Sequence, residues 1–404
     1  MRREDAEKLS RIINDHLANI QRIGVNWSAD IIKNLKKAQE ELMEYILSEQ
    51  KTFGAVGIDS GTNKKFEIIR RKIETIVADA YSRGYSDIQE EFSGLAENEA
   101  KHAANLTKAM SGSAVEQVGK RTIESIAKYG RFDGLTLSEM FNSLSTRDAG
   151  RIYGAVARNI LGGSTPQSLR KAVQHVFDIS NYQAQSIGLT CANGISNDAR
   201  LAVFTQNDDV VKGIEILNTL DGRTCPTCAA IGGLRFEMDD KNIPVLPVHI
   251  RCRCCYIPVT VLSDIRDITR PAANSDFMSD AQRAYEGKYP EKDWNVLSES
   301  TKKKYYHQAI HDYEDRTGEP AFSQVPGSMK FKDYFELQDD RFKRDWLGVT
   351  RYRLYTKGNL SLNDMMNPQT DRLFTLSELK KRDIEAFRKA GLTGGKNSMA
   401  IGSG

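Results

Sequence analysis

Apolar residues recur at three- and four-residue steps through most of the N-terminal half of the chain, the spacing that puts them on one face of a helix. Leu9, Ile12, Ile13, Leu17 and Ile20 form a first stripe. Ile31, Ile32, Leu35, Leu42 and Ile46 form a second, with Ser28 placed to cap a separate helix. Residues 53–62 (FGAVGIDSGT) are glycine-rich and polar and predict a loop. They lack the Gly-Lys-Ser/Thr ending of a phosphate-binding loop. From Lys64 to about Lys108, Phe66, Ile69, Ile73, Ile76, Val77, Ala80, Tyr81, Ile88 and Phe92 predict one long amphipathic helix. Its apolar face must be covered, either within this chain or on a larger assembly.

Residues 111–206 continue the helical period with more interruptions. Thr136 with Glu139 has the spacing of a capping box. Ser145 or Thr146 is placed to start the next helix. Leu161-Gly162-Gly163-Ser164-Thr165-Pro166 reads as a stop and restart, with glycine ending one helix and Ser164 or Thr165 capping another ahead of Pro166. The period then changes. Residues 210–220 (VVKGIEILNTL) are β-branched and alternating, 234–236 read as a return strand after the turn at Gly232-Gly233, and 255–261 (CYIPVTV) as a closing strand. From 262 onward the chain is polar with scattered aromatics and reads as a helical tail. Gly358 stands as a helix stop and Thr375 with Glu378 forms another capping box. The last stretch, GLTGGKNSMAIGSG, is expected to be mobile.

Candidate chemistry is concentrated in one place. Residues 221–260 hold five of the six cysteines and one of the six histidines. Cys225 and Cys228 form one two-residue-gap corner, and His249 and Cys252 form another, followed by Cys254 and Cys255. Two such corners across a hairpin-sized spacer suit a closed tetrahedral site, and thiolate and imidazole donors favour zinc over oxygen-seeking cations. The symmetric set is Cys225, Cys228, His249 and Cys252, with Cys254 as the alternative to Cys252. Strand alternation turns Cys255 away from Cys254. Lone Cys191, in a helical segment, reads as a small buried hydrophobe. A β-rich unit of this size needs a staple, and a structural zinc supplies one.

These residues also carry a resemblance. Asp221-Gly222-Arg223-Thr224-Cys225-Pro226-Thr227-Cys228 and Pro247-Val248-His249-Ile250-Arg251-Cys252-Arg253-Cys254 are similar to the words DxRTCPxC and PxHPNCRC of the phage head morphogenesis family, the minor head proteins related to the F protein of phage Mu. The departures are Ile231-Gly232-Gly233 for Leu-Asp-Gly and Ile250-Arg251 for Pro-Asn. The short helices joined by a Gly-x-Ser/Thr-Pro turn, and the 345–379 stretch ending in Thr375-Leu376-Ser377-Glu378-Leu379, also resemble this family, so that the likeness spans roughly 136–379. Thr190 falls where relatives carry an Arg-Thr pair, though Leu189 precedes it here. The resemblance implies a minor capsid protein without enzymatic activity, associated with the portal vertex inside the head and acting in assembly or DNA delivery. The implied partners are the portal protein, with major capsid or scaffolding protein and packaged DNA as further candidates. The implied location is the virion, after assembly in the host cytoplasm.

Composition changes this picture little. With 404 residues, 40% hydrophobic, 27% charged and a net charge of +3, the chain has room for two or three domains and no strong demand for an anionic partner. The opening MRREDAEKLS lacks an apolar core, so no secretory signal or membrane anchor is expected, and clustered cysteines in a reducing cytosol favour metal over disulfides. Neither HExxH nor GxSxG occurs. Two rival functions follow from the residues. Arg223, Arg235, Arg251 and Arg253 around the cysteines could contact phosphates, giving a zinc-module nucleic-acid binder, or could form a solvated rim balanced by Glu237, Asp239 and Asp240. A zinc-dependent enzyme, or a toxin-type one built on Glu97-Asn98-Glu99, is the lesser alternative. The expected architecture is mainly α with a small β-rich, zinc-stapled module (α+β). It divides into a long-helix region 1–110, a helical head-morphogenesis core 111–206, a Cys/His module 207–261 and a helical tail 262–404.

Overall fold

The computed structural model describes residues 3–53, 60–132, 134–262, 268–294, 297 and 299–393. Residues 54–59 of the expected glycine-rich loop and 394–404 of the expected mobile terminus lie outside the described residues. The chain folds as two units, one of Met1–Ile214, Phe236–Asp264 and Asn295–Leu297, the other of Glu215–Arg235, Ile265–Trp294 and Ser298–Gly404.

In the first unit the two N-terminal stripes belong to one helix, α1 (Arg3–Phe53). The helix start expected at Ser28 does not exist. The Ser28 hydroxyl instead donates to the carbonyls of Gly24 and Gln185 at 2.7 and 3.0 Å, a use open to a mid-helix serine whose neighbours leave carbonyl oxygens within reach. The second helix, α2 (Ser60–Ser111), carries the expected stripe from Phe66 to Phe92, and every one of those positions is buried. The face is covered within the unit: α1 packs on α2, and both pack on later helices. After α3 (Lys120–Tyr129) and a two-residue pairing of β1 (Arg131–Phe132) with β2 (Leu135–Thr136), α4 (Leu137–Leu161) begins at the expected Thr136–Glu139 capping box. It runs without a break through the start expected at Ser145 or Thr146. Ser145 is buried, and Thr146 donates to the Asn142 carbonyl one turn back. The stop after Leu161 is as expected, with Gly163 at φ 64, and Thr165 rather than Ser164 caps α5 (Pro166–Gln206).

Close helix approach fixes two glycines. A Cβ on Gly188 of α5 would sit 2.4 Å from the Gly24 carbonyl oxygen, and one on Gly24 of α1 would sit 2.8 Å from the Leu189 Cα. The two backbones meet there with no room for a side chain. Polar pairs tie the remaining faces. The fully buried Trp27 donates to Glu91 at 2.8 Å, and the hydroxyls of Tyr81 and Ser180 both donate to buried Asp148, at 2.6 and 2.7 Å.

The chain then passes through β3 (Val211–Leu217), the short helix α6 (Pro226–Ile231), β4 (Arg235–Glu237) and β5 (Cys255–Thr260). The three strands form one sheet in the order β4-β3-β5. The architecture is therefore mainly helical with a small β region, as the periodicity predicts.

In the second unit β6 (Thr269–Ala273) pairs antiparallel with β7 (Phe322–Pro326), from Thr269 opposite Pro326 to Ala273 opposite Phe322. Between them lie α7 (Phe277–Lys288) and α8 (Glu299–Thr317). The pairing was not legible in TRPAA, a strand containing proline, which a two-stranded ribbon tolerates because both strands are edges. The core behind it joins Phe331, Tyr334 and Phe335 of α9 (Phe331–Leu337) to Phe342 and Leu354 of α10 (Asp340–Thr356). Gly358 ends this stretch as expected: a Cβ there would lie 2.6 Å from the Leu354 carbonyl oxygen and 2.9 Å from that of Ala386. The capping box of Thr375 and Glu378 is present. Among the described residues no helix is long and apolar enough to cross a membrane.

Candidate metal centre

The Cys225 corner is built by a helix start that the sequence reading missed. Cys225 is the N-cap of α6, and its Sγ accepts the Cys228 backbone N–H at 3.5 Å. Pro226 occupies the first turn, where its missing N–H costs nothing. Around this corner Asn218 Nδ2 donates to the Cys228 carbonyl at 3.0 Å, and Arg270 Nη1 donates to the Asn218 carbonyl at 2.7 Å. Trp346 Nε1 donates to the Thr224 carbonyl at 2.7 Å. Gly232 follows closely enough that a Cβ would overlap the Asn218 side chain.

The His249 corner rests on α5. Ser186, Thr190, Asn193, Asn197 and Arg200 follow one another at steps of four, three, four and three, and all five are buried. On an isolated buried helix such a polar stripe would be costly. Here it satisfies the backbone of 251–256. Asn193 Nδ2 donates to the carbonyls of Cys252 and Cys254 at 2.9 and 3.2 Å. Asn197 Nδ2 donates to the Cys254 carbonyl at 3.1 Å, and its Oδ1 accepts the Tyr256 N–H at 3.0 Å. Thr190 Oγ1 accepts the Arg251 N–H at 2.9 Å. The Tyr256 hydroxyl donates to the Pro244 carbonyl at 2.5 Å and accepts the Leu246 N–H at 3.0 Å, which fixes the approach to His249. None of these roles was read from the sequence. The readable signal was the polar stripe itself, at helical spacing inside an otherwise apolar segment.

The candidate ligands divide between the two units, Cys225 and Cys228 in the second and His249, Cys252 and Cys254 in the first. His249 Nδ1 lies 2.7 Å from the Ile250 carbonyl oxygen. A carbonyl can only accept, so Nδ1 carries the proton and Nε2 keeps a lone pair, the tautomer a metal ligand needs. No disulfide forms among the six cysteines. Cys255 faces Arg200. Cys191 is fully buried, and burial pushes its thiol pKa well up, in keeping with a core residue. Soft thiolates with one neutral imidazole, held by hydrogen-bonded corners, fit a closed site for a zinc-like cation.

Residues 151–257 match the family model described as Phage Mu protein F like protein. This part of the chain is similar to the proteins of that family. It covers roughly a quarter of the 404 residues, from within α4 to within β5. The resemblance read at 136–150 and at 258–379 lies outside it. No curated protein and no solved structure matches the chain. The matched stretch contains the whole of α5, all five candidate ligands and Arg223, Arg235, Arg251 and Arg253.

Arg223, Arg235 and Arg251 are each held by the protein. Arg223 pairs with Asp221 at 3.0 Å, Arg235 with Glu215 at 2.6 Å, and Arg251 with α5. Glu99, the last residue of the Glu97-Asn98-Glu99 motif, is 1% exposed and pairs with His16 and with Arg200 at 3.2 Å. A substrate cannot reach it there.

Proposed function

We propose that this chain is a minor head protein of a tailed phage, associated with the portal vertex inside the head, where it acts in assembly or DNA delivery. The observation that carries the reading is the match of residues 151–257 to the Mu F-like family model, which supports a role in phage head morphogenesis in general terms. Its partners under this proposal are the portal protein and, secondarily, capsid or scaffolding protein and packaged DNA. Within it, Cys225, Cys228, His249 and Cys252, with Cys254 as the alternative to Cys252, hold one structural zinc ion. The donor set supports zinc because four soft or borderline ligands close the coordination sphere and leave no open position for catalysis. A role as a nucleic-acid reader is disfavoured, since Arg223, Arg235 and Arg251 already have carboxylate or helix partners.

Quantitative mass spectrometry of purified, DNA-filled particles tests the proposal. The expected result is a few copies per particle, far below the major capsid protein. Absence from both filled particles and empty procapsids would contradict it.

A further inference from the structure

The residue between the two ligands of the second corner is held in an unusual way. His249, Ile250, Arg251 and Cys252 form a turn closed by the Cys252 N–H on the His249 carbonyl at 3.1 Å. Arg251 is its third residue and has φ 62, whereas Ile250 is not among the positive-φ residues. That is the signature of a type II turn, whose third position suits glycine or asparagine. A long side chain there is disfavoured by roughly 1–2 kcal/mol.

The Arg251 side chain is committed to α5 in return. Its Nε donates to Ser186 Oγ at 2.8 Å and its Nη2 to Gln185 Oε1 at 3.2 Å. The guanidinium lies over the Tyr182 ring, 4.4 Å from its centroid. The receiving hydroxyls are polarised for this. Ser186 donates its own proton to the Tyr182 carbonyl at 3.1 Å, and Thr190 to the Ser186 carbonyl at 2.6 Å. Both therefore present lone pairs to Arg251, one to the guanidinium and one to the backbone N–H.

We infer that Arg251 is a positioning residue for the metal: by latching its turn to α5 it sets His249 and Cys252 in ligand geometry before the ion arrives. The inference rests on the metal reading above. Arg251 touches no metal itself. It acts as outer-shell groups do, by fixing the ligands, and losing such a partner typically weakens metal binding about 10- to 100-fold. The same arginine is thereby withdrawn from phosphate recognition.

The test uses the full-length protein and zinc competition against a chromophoric chelator. Arg251→Asn keeps a residue at ease at positive φ but removes the latch. Tyr182→Leu with Ser186→Ala removes the receiving side and leaves Arg251 in place. Each is expected to weaken zinc binding at least about tenfold, with the far-ultraviolet spectrum of the metal-free protein unchanged. Zinc affinity equal to wild type in Arg251→Asn would overturn the inference, because turn conformation alone would then suffice. A wild-type protein that takes up no zinc would overturn the metal reading as well, and the two failures are distinct.

Discussion

Replacing Cys228 with serine is expected to abolish metal binding, taking the full-length protein from about one zinc per chain, as a closed structural site requires, to a level indistinguishable from buffer. Under the proposed donor set Cys228 is a ligand whichever of Cys252 and Cys254 completes it, so its loss opens the closed four-coordinate site. Single replacements of Cys252 and Cys254 separate the two alternatives: the variant that keeps its zinc has lost a bystander. Cys255→Ser should keep full occupancy, because Cys255 faces Arg200. Elemental analysis after exhaustive dialysis reads all four variants. Full occupancy in Cys228→Ser would show that the ion sits elsewhere or that none is specifically bound. The fold should outlast the ion in part, since the backbone of 251–256 is satisfied by α5 side chains.

The second large effect belongs to Glu99. This carboxylate and Arg200 are 1% and 3% exposed at the side chain, and His16 from α1 and His102 from α2 crowd the same point, with Cys255 against Arg200. Glu99→Ala leaves a buried guanidinium without its anion, a change that costs about 3–5 kcal/mol. Chemical denaturation should show that loss in the first unit. A change below about 1 kcal/mol, the size of an exposed pair, would mean that the pair is solvated in solution. Acid should act on the same cluster. Burial alone would raise the Glu99 pKa, but Arg200, His16 and His102 outweigh it and hold it below the usual carboxylate range. Its contribution is present above the unfolded value and fades as pH falls through the lower folded one. Burial, with the charges of His16 and Arg200, pushes His102 from 6.5 down to about 3. The folded chain thus refuses a proton that the unfolded chain accepts between those values, so stability falls as pH drops from about 6.5 toward 3. Both groups act in the same direction. A denaturation midpoint that is flat from pH 7 to 4 would contradict this, and His102→Leu should remove the upper part of the slope.

Local signals in the sequence mapped well onto local structure. The capping boxes at Thr136 and Thr375, the Gly163–Pro166 restart and the stripe from Phe66 to Phe92 are each set by a few neighbouring residues, and each appears where the spacing puts it. Boundaries that depend on distant partners did not read out. Ser28 and Ser145 have cap-type side chains, yet both lie inside long helices. In the case of Ser28, the carbonyl of Gln185 on another helix gives the hydroxyl a use no local window contains. The candidate ligands were legible from the Cys225–Cys228 and His249–Cys252 spacings because chelation itself imposes that spacing. The supporting groups were not. Asn193 and Asn197 look like unfavourable helix residues until β5 and the turn before it are laid against them. Arg251 looked like a solvated rim residue or a phosphate ligand because nothing in its own segment shows Tyr182 and Ser186 waiting for it.

Zinc K-edge X-ray absorption of the full-length protein, purified without added metal, tests the central claim most directly, since it reports the element, the donor atoms and their distances at once. The account predicts a closed four-coordinate shell of three sulfurs at about 2.3 Å and one nitrogen at about 2.0 Å. Absence of zinc from the purified protein, or a shell of light atoms without sulfur, would contradict it.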